Sequence, residues 1–160
     1  MPILHQQFVA IAKTKDGKTA SAPPPLSLRL QGPLLQVTVT IEENAGKGLL
    51  AQGKPLPTPK SGFALIDTGA SNTCIDDKAA QELGLPIIDV GRMTSASHEK
   101  HPCNVYPIQI NVVGFMNLNV PRAMGAALAA QGLLALIGRD VLARCTLFYN
   151  GPTSEITLSF

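Results

Sequence analysis

Tryptophan is absent from the 160-residue chain, and two tyrosines and five phenylalanines are its only aromatic residues. The 13 lysines and arginines are scattered among 11 acids, for a net charge of +2. A basic stripe interleaved with stacking rings cannot be assembled from these, so nucleic acid is not expected as a partner. Charge of either sign is sparse at 15%, whereas hydrophobic residues make up 45%, which excludes a disordered chain and leaves enough apolar side chains for one core. The three cysteines, Cys74, Cys103 and Cys145, are an odd number at wide spacings, which argues against a disulfide framework. No apolar run approaches the roughly 20 residues that span a bilayer, and residues 1–13 lack the pattern of a secretory leader. No membrane partner is expected, and the cytoplasm is the expected compartment.

What the chain does contain is an apolar strand that ends in a charge. Phe63-Ala64-Leu65-Ile66 reads as a short buried strand, and the next side chain is the carboxylate of Asp67, followed by Thr68-Gly69-Ala70-Ser71. A carboxylate at the end of a buried strand is costly unless it is hydrogen-bonded or does chemistry. Gly69 lets the backbone turn, and the Thr68 hydroxyl can tie the turn down. Taken alone, Asp-Thr-Gly is also an ordinary turn. A second apolar run, Leu133-Leu134-Ala135-Leu136-Ile137, leads into Gly138-Arg139-Asp140 and the short helix expected of Val141-Leu142-Ala143-Arg144.

Together the two motifs resemble those of the retropepsin-like aspartic proteases, over most of the chain from about Leu34 onward. The resemblance implies an all-β, closed barrel-like retropepsin (acid protease) fold with two or three short helices and one lobe per chain. It divides the chain into an N-terminal extension, residues 1–33, with a possible hairpin and a Pro-rich connector, and the protease domain, residues 34–160. It makes Asp67, Thr68 and Gly69 the catalytic residues, with Asp67 acting on a peptide bond through an activated water. Only one Asp-Thr-Gly is present, and acid–base catalysis by paired carboxylates needs two. A homodimer about a two-fold axis would supply the pair. The resemblance also implies polypeptide substrates contacted by Ala70, Ser71, Cys74, Ala96, Ser97, Leu134 and Leu136. Gly138, Arg139 and Asp140 form its second motif, whose arginine commonly pairs with an acid where this chain has Ser71. Arg139 is therefore expected to turn to Asp140, to a partner chain or to a backbone carbonyl. The competing reading is a catalytically inactive module that keeps the fold to bind peptides or to dimerise.

Neither a cofactor nor a metal is expected. The segment from Gly48 to Lys54 has the spacing of a phosphate-binding loop, but Pro55 stands where its Ser or Thr should be. His98, His101 and Cys103 form His-x-x-His-x-Cys without a nearby fourth ligand, so they read as residues of a flap hairpin.

Along the chain, residues 7–13 read as a strand and Lys15-Asp16-Gly17-Lys18 as a hairpin turn. Residues 21–25 read as an extended Pro-rich connector, and alternating Leu26, Leu28 and Leu30 as strand. Residues 36–42 alternate as a strand, and 43–62 read as a long loop. Residues 72–75 continue as strand, with a helix capped by Asp76 or Asp77 and stopped at Gly84. Residues 87–93 and 105–112 form a hairpin around a polar tip. Residues 116–120 are a strand, and 122–131 an Ala-rich helix ending at Gly132. Residues 145–149 and 156–160 make a last hairpin, with 155–160 patterned as an edge strand that seeks a partner.

Overall fold

In the computed structural model of the chain, which describes residues 2–94 and 101–160, the alternation after Leu34 becomes a barrel wall. Strand β4 (Leu34–Ile41) turns Leu35, Val37, Val39 and Ile41 inward, all of them buried. It pairs with β5 (Lys60–Ile66) on one side and with β8 (His101–Val112) on the other, where Val37 meets Val112 and Ile41 meets Ile108. The circuit runs β4, β5, β10 (Ala135–Ile137), β6 (Cys74–Asp76), β9 (Met116–Ala126), β8 and back to β4. Six strands therefore close on themselves, and β7 (Asp89–Met93) attaches outside the ring along β8. Closure removes the edges these strands would otherwise present. The β-branched residues fill the interior: Val37, Val39, Ile75, Ile108, Ile110 and Ile137 are at most marginally accessible. Each such side chain contributes about 1.5–3 kcal/mol by leaving water.

The first thirty residues pack onto the same core. Strand β1 (Ile3–Gln7) pairs antiparallel with β12 (Glu155–Ser159), which also pairs with β11 (Thr146–Asn150). The segment 155–160 is thus the central strand of a three-stranded sheet, not the open edge its pattern suggested, because β1 covers its free side. The strand expected over 7–13 is two strands: at residues 8–10 the chain turns inward, Phe8 and Ala10 are buried and the Phe8 N–H donates to the Ser154 carbonyl. Strands β2 (Ile11–Lys13) and β3 (Thr19–Ser21) then form the hairpin expected around Gly17.

Three further expectations are corrected. Leu26, Leu28 and Leu30 lie not on a strand but on helix α1 (Pro24–Gln31). Proline in a first turn gives up only an N–H that has no helical partner, so Pro24 and Pro25 start the helix. The alternation misleads because residues two apart fall on opposite helix faces: Leu28 is 1% exposed, Leu26 41% and Leu30 61%. The loop read over 43–62 contains helix α2 (Glu43–Ala51), whose N-cap Glu42 accepts the Ala45 N–H at 2.9 Å and whose Ala45 and Leu49 pack on the core. The Ala-rich stretch after Arg122 is not a helix, since β9 continues to Ala126. Ladder partners on both sides hold it extended, with Met124 opposite Val105 of β8 and Cys74 of β6. Only a single 3-10 turn, Ala129–Gln131, remains of the expected helix.

Elsewhere the elements follow the pattern. Asp76 caps α3 (Asp77–Glu82), its carboxylate accepting the Ala79 N–H, and β11 and β12 form the last hairpin. Among the described residues no helix is long and apolar enough to cross a membrane.

Candidate active site

Strand β10 lies between β5 and β6, parallel to the first and antiparallel to the second. The chain leaving β5 must therefore arch over the end of β10 before it returns as β6, and the arch is residues 67–73. The Asp67 N–H donates to the Ile137 carbonyl at 3.0 Å, which anchors the arch to β10. Asp67 Oδ1 accepts the N–H of Gly69 at 2.8 Å and that of Ala70 at 3.2 Å. Among the described residues its Oδ2 takes no hydrogen bond. The carboxylate is half-buried, and Thr68 and Gly69 beside it are exposed.

The second motif closes on the arch from below. Helix α4 (Arg139–Leu142) starts at Gly138, and the Arg139 and Asp140 N–H groups donate to the carbonyls of Ala70 and Ser71. The backbone approach at Gly138 is close: a Cβ there would sit 2.5 Å from the Asn72 carbonyl carbon and 2.8 Å from the Thr73 nitrogen. The Arg139 guanidinium reaches over the arch, Nη1 donating to the carbonyls of Thr68 (2.8 Å) and Gly69 (2.9 Å) and Nη2 to Ser71 Oγ (2.7 Å). Of the alternatives open for Arg139, backbone carbonyls are thus its partners, and Ser71 supplies the acceptor that an acid would otherwise provide. Asp140 does a separate job: its Oδ1 accepts the Thr73 N–H at 2.9 Å and the Thr73 hydroxyl at 2.8 Å, while Thr73 Oγ1 receives the Gly138 N–H. Fully buried Thr73 is a residue that sequence reasoning missed. The available signal was a β-branched hydroxyl residue placed between a polar loop and an apolar strand.

A cavity of about 1070 Å³ opens beside the arch, walled by β6 and α3, by the β7–β8 hairpin and by the segment between β9 and β10. Of the expected substrate-contact residues, Cys74 and Leu136 line it, side by side in the β6–β10 ladder. Leu134 instead packs into the core against Gly62. Ala70 and Ser71 belong to the arch. Ala96, Ser97 and His98 lie outside the described residues, whereas His101 and Cys103 line the cavity from β8. Burial pushes the Cys74 thiol up to about 11, and the charges of Cys103, Asp140 and Asp67 act in the same direction. Cys74 is consequently a protonated, inert wall.

Buried Asp76 holds the far side of the cavity. Its Oδ1 accepts the N–H groups of Leu128 and Ala129, both at 2.9 Å, and Oδ2 that of Ala79 at 3.0 Å. One carboxylate thus ties β6, α3 and the β9–β10 segment together. Sequence reading saw only its capping role.

A closed barrel whose acidic arch is laced to a Gly-Arg-Asp turn is the architecture of the retropepsin-like aspartic proteases. The family model described as "gag-polyprotein putative aspartyl protease" matches residues 60–144, and the chain belongs to that family. Two solved structures are similar to it. A retropepsin-like aspartic protease from Rickettsia conorii is 17% identical, over 98% of this chain and 92% of its own, with a TM-score of 0.41. The retroviral protease-like domain of Ddi1 from Leishmania major is 16% identical, over 73% of this chain and 81% of its own, with a TM-score of 0.38. No curated protein matches the sequence.

Proposed function

We propose that the chain is an aspartic endopeptidase in which two copies bring their Asp67 carboxylates together about a two-fold axis. The observation that carries this reading is the state of the half-buried Asp67: one oxygen is fixed by two backbone N–H groups, and the other takes no hydrogen bond from the described residues. Such an oxygen can hold a water. Two of them sharing one proton can take a proton from that water while protonating the leaving nitrogen. In this reading Thr68 and Gly69 complete the active-site loop, and Arg139 holds it through three hydrogen bonds. The substrate is an extended polypeptide lying between the arch and the β7–β8 hairpin, which acts as the flap. Backbone hydrogen bonds and the walls at Cys74 and Leu136 hold it.

A mixed peptide library incubated with the wild type and with Asp67→Asn tests the reading, with cleavage sites found by mass spectrometry. Cleavage by the wild type that disappears in the variant is expected, together with a dimer by light scattering at active concentrations. Cleavage that survives in Asp67→Asn removes Asp67 from the mechanism. A chain that binds peptides without cleaving them at any pH is instead an inactive binding module.

A further inference from the structure

The cavity beside the arch changes character along its length. Near Asp67, whose charge acts on Cys74, its lining is apolar, with Cys74 and its ladder partner Leu136. Past the end of β6, at the first residue of α3, Asp77 enters the wall. Its Oδ1 accepts the Tyr106 hydroxyl at 2.8 Å and Asn104 Nδ2 at 3.0 Å, and its Oδ2 accepts Gln81 Nε2 at 2.7 Å. All three donors are neutral, and Asp77 forms no ion pair among the described residues. Its charge is felt nearby: it adds to burial in raising the Tyr106 hydroxyl and the Cys103 thiol. Gly125 makes room for it, because a Cβ there would lie 2.5 Å from Asp77 Oδ1.

Of the wall's other charged residues, Asp76 carries the same sign and Lys78 forms no ion pair with Asp77 among the described residues. Asp76 is buried, and its carboxylate is turned to three backbone N–H groups. Lys78 is exposed and close enough to Glu82 to help lower that carboxyl. With Asp76 buried, Asp77 alone offers too few oxygens for a bare divalent cation. It can still accept one charge-assisted hydrogen bond from a long side chain lying in the cavity.

We propose that Asp77 makes the cleft select a lysine or arginine side chain in the substrate, at a position set back from the scissile bond. The inference rests on the peptidase reading and names its substrate class. Tyr106, Asn104 and Gln81 hold the carboxylate in place, so little ordering is needed when the cation arrives. In a two-copy cleft each half carries its own Asp77, and the preference appears at mirror positions on both sides of the cut.

The test compares peptides identical except for lysine or norleucine, scanned one position at a time along each side of the cut, and the pair with the largest preference is carried forward. The readout is the ratio of kcat/KM within each protein, which cancels differences in folded fraction. A ratio of about tenfold is expected for the wild type, falling as salt rises, close to one in Asp77→Asn and restored toward wild type in Asp77→Glu. A wild-type ratio near one, or a ratio kept in Asp77→Asn, overturns the proposal. The same two peptides, fluorescently labelled, are titrated into Asp67→Asn with and without Asp77→Asn and followed by anisotropy. This arm decides the matter without cleavage. A lysine preference in binding that Asp77→Asn abolishes upholds Asp77 even where the wild type cuts nothing, an outcome that overturns only the peptidase reading. Cleavage without a lysine preference overturns Asp77 alone.

Discussion

Gly138→Ala separates contact from conformation at the crossing of the two motifs. The backbone of Gly138 is extended, with φ −89° and ψ −178°, so alanine meets no torsional penalty there. Its Cβ would lie 2.5 Å from the Asn72 carbonyl carbon and 2.6 Å from the oxygen, whereas ordinary contact begins at 3.4 Å. The neighbouring atoms are backbone and cannot rotate away, so the arch and α4 must part by about 0.9 Å, the difference between 3.4 and 2.5 Å. That movement stretches the Gly138 N–H bond to Thr73 Oγ1 and the Arg139 and Asp140 N–H bonds to Ala70 and Ser71. Overpacking costs about 1–3 kcal/mol, and one weakened buried hydrogen bond costs about 1 kcal/mol more. For a chain of this size the sum of about 2–4 kcal/mol lowers Tm by about 10 °C. Differential scanning calorimetry of the purified variant measures it, with kcat/KM on a cleaved peptide expected to fall as the arch is displaced. A Tm within about 2 °C of wild type, which at this size corresponds to less than about 1 kcal/mol, with unchanged kcat/KM, would refute the reasoning.

Three other outcomes follow from the same structure. Arg139→Ala removes three hydrogen bonds from the arch and, its side chain being exposed, should cost only about 1–2 kcal/mol in urea unfolding but about tenfold or more in kcat/KM; Arg139→Lys should not rescue it, because one ammonium cannot reproduce the two-nitrogen fork, and full rescue by lysine would sink the assignment. The Cys74 thiol is raised from 9.0 to about 11, so its contribution to stability is complete below about pH 9 and is lost as pH rises toward 11; the urea midpoint of the wild type should therefore fall more between pH 8 and 10.5 than that of Cys74→Val, and equal falls would contradict it. Leu28→Ala should destabilise the chain by about 3 kcal/mol, since Leu28 is 1% exposed within the barrel core; thermal unfolding unaffected by it would mean that α1 is dispensable to the fold.

The two motifs of the candidate site were legible in the sequence because each is short and contiguous. Asp67-Thr68-Gly69 and Gly138-Arg139-Asp140 each sit at the end of an apolar strand, and the structure laces them together. Strand β4 and the cap of α3 were equally readable, from alternation and from Asp76. The reading failed where a residue's local meaning depends on what it touches. Pro24 and Pro25 suit an extended connector or a helix start equally well, and burial of Leu28 and Ser27 decides for the helix. Gly46 and Gly48 weakened the helical pattern of α2, which tertiary packing restores. The alanines after Arg122 favour a helix on their own, and two flanking strands overrule them through Met124. The bonds of Thr73 to Asp140 and of Asp77 to Tyr106 stayed invisible because these partners lie 67 and 29 residues away in the chain.

Strand β12 has both of its sides occupied within its own chain, by β1 and by β11. Its 0%-exposed Ile156 and 1%-exposed Leu158 reach the core without help from a second copy. A neighbouring molecule can add strands only along the outer rims of β1 or β11, to a sheet that is already complete. Within this sheet no strand waits for a second copy to pair it, so the proposed association is a step apart from folding. If the active site is built from two copies as proposed, dilution silences it while leaving each barrel intact.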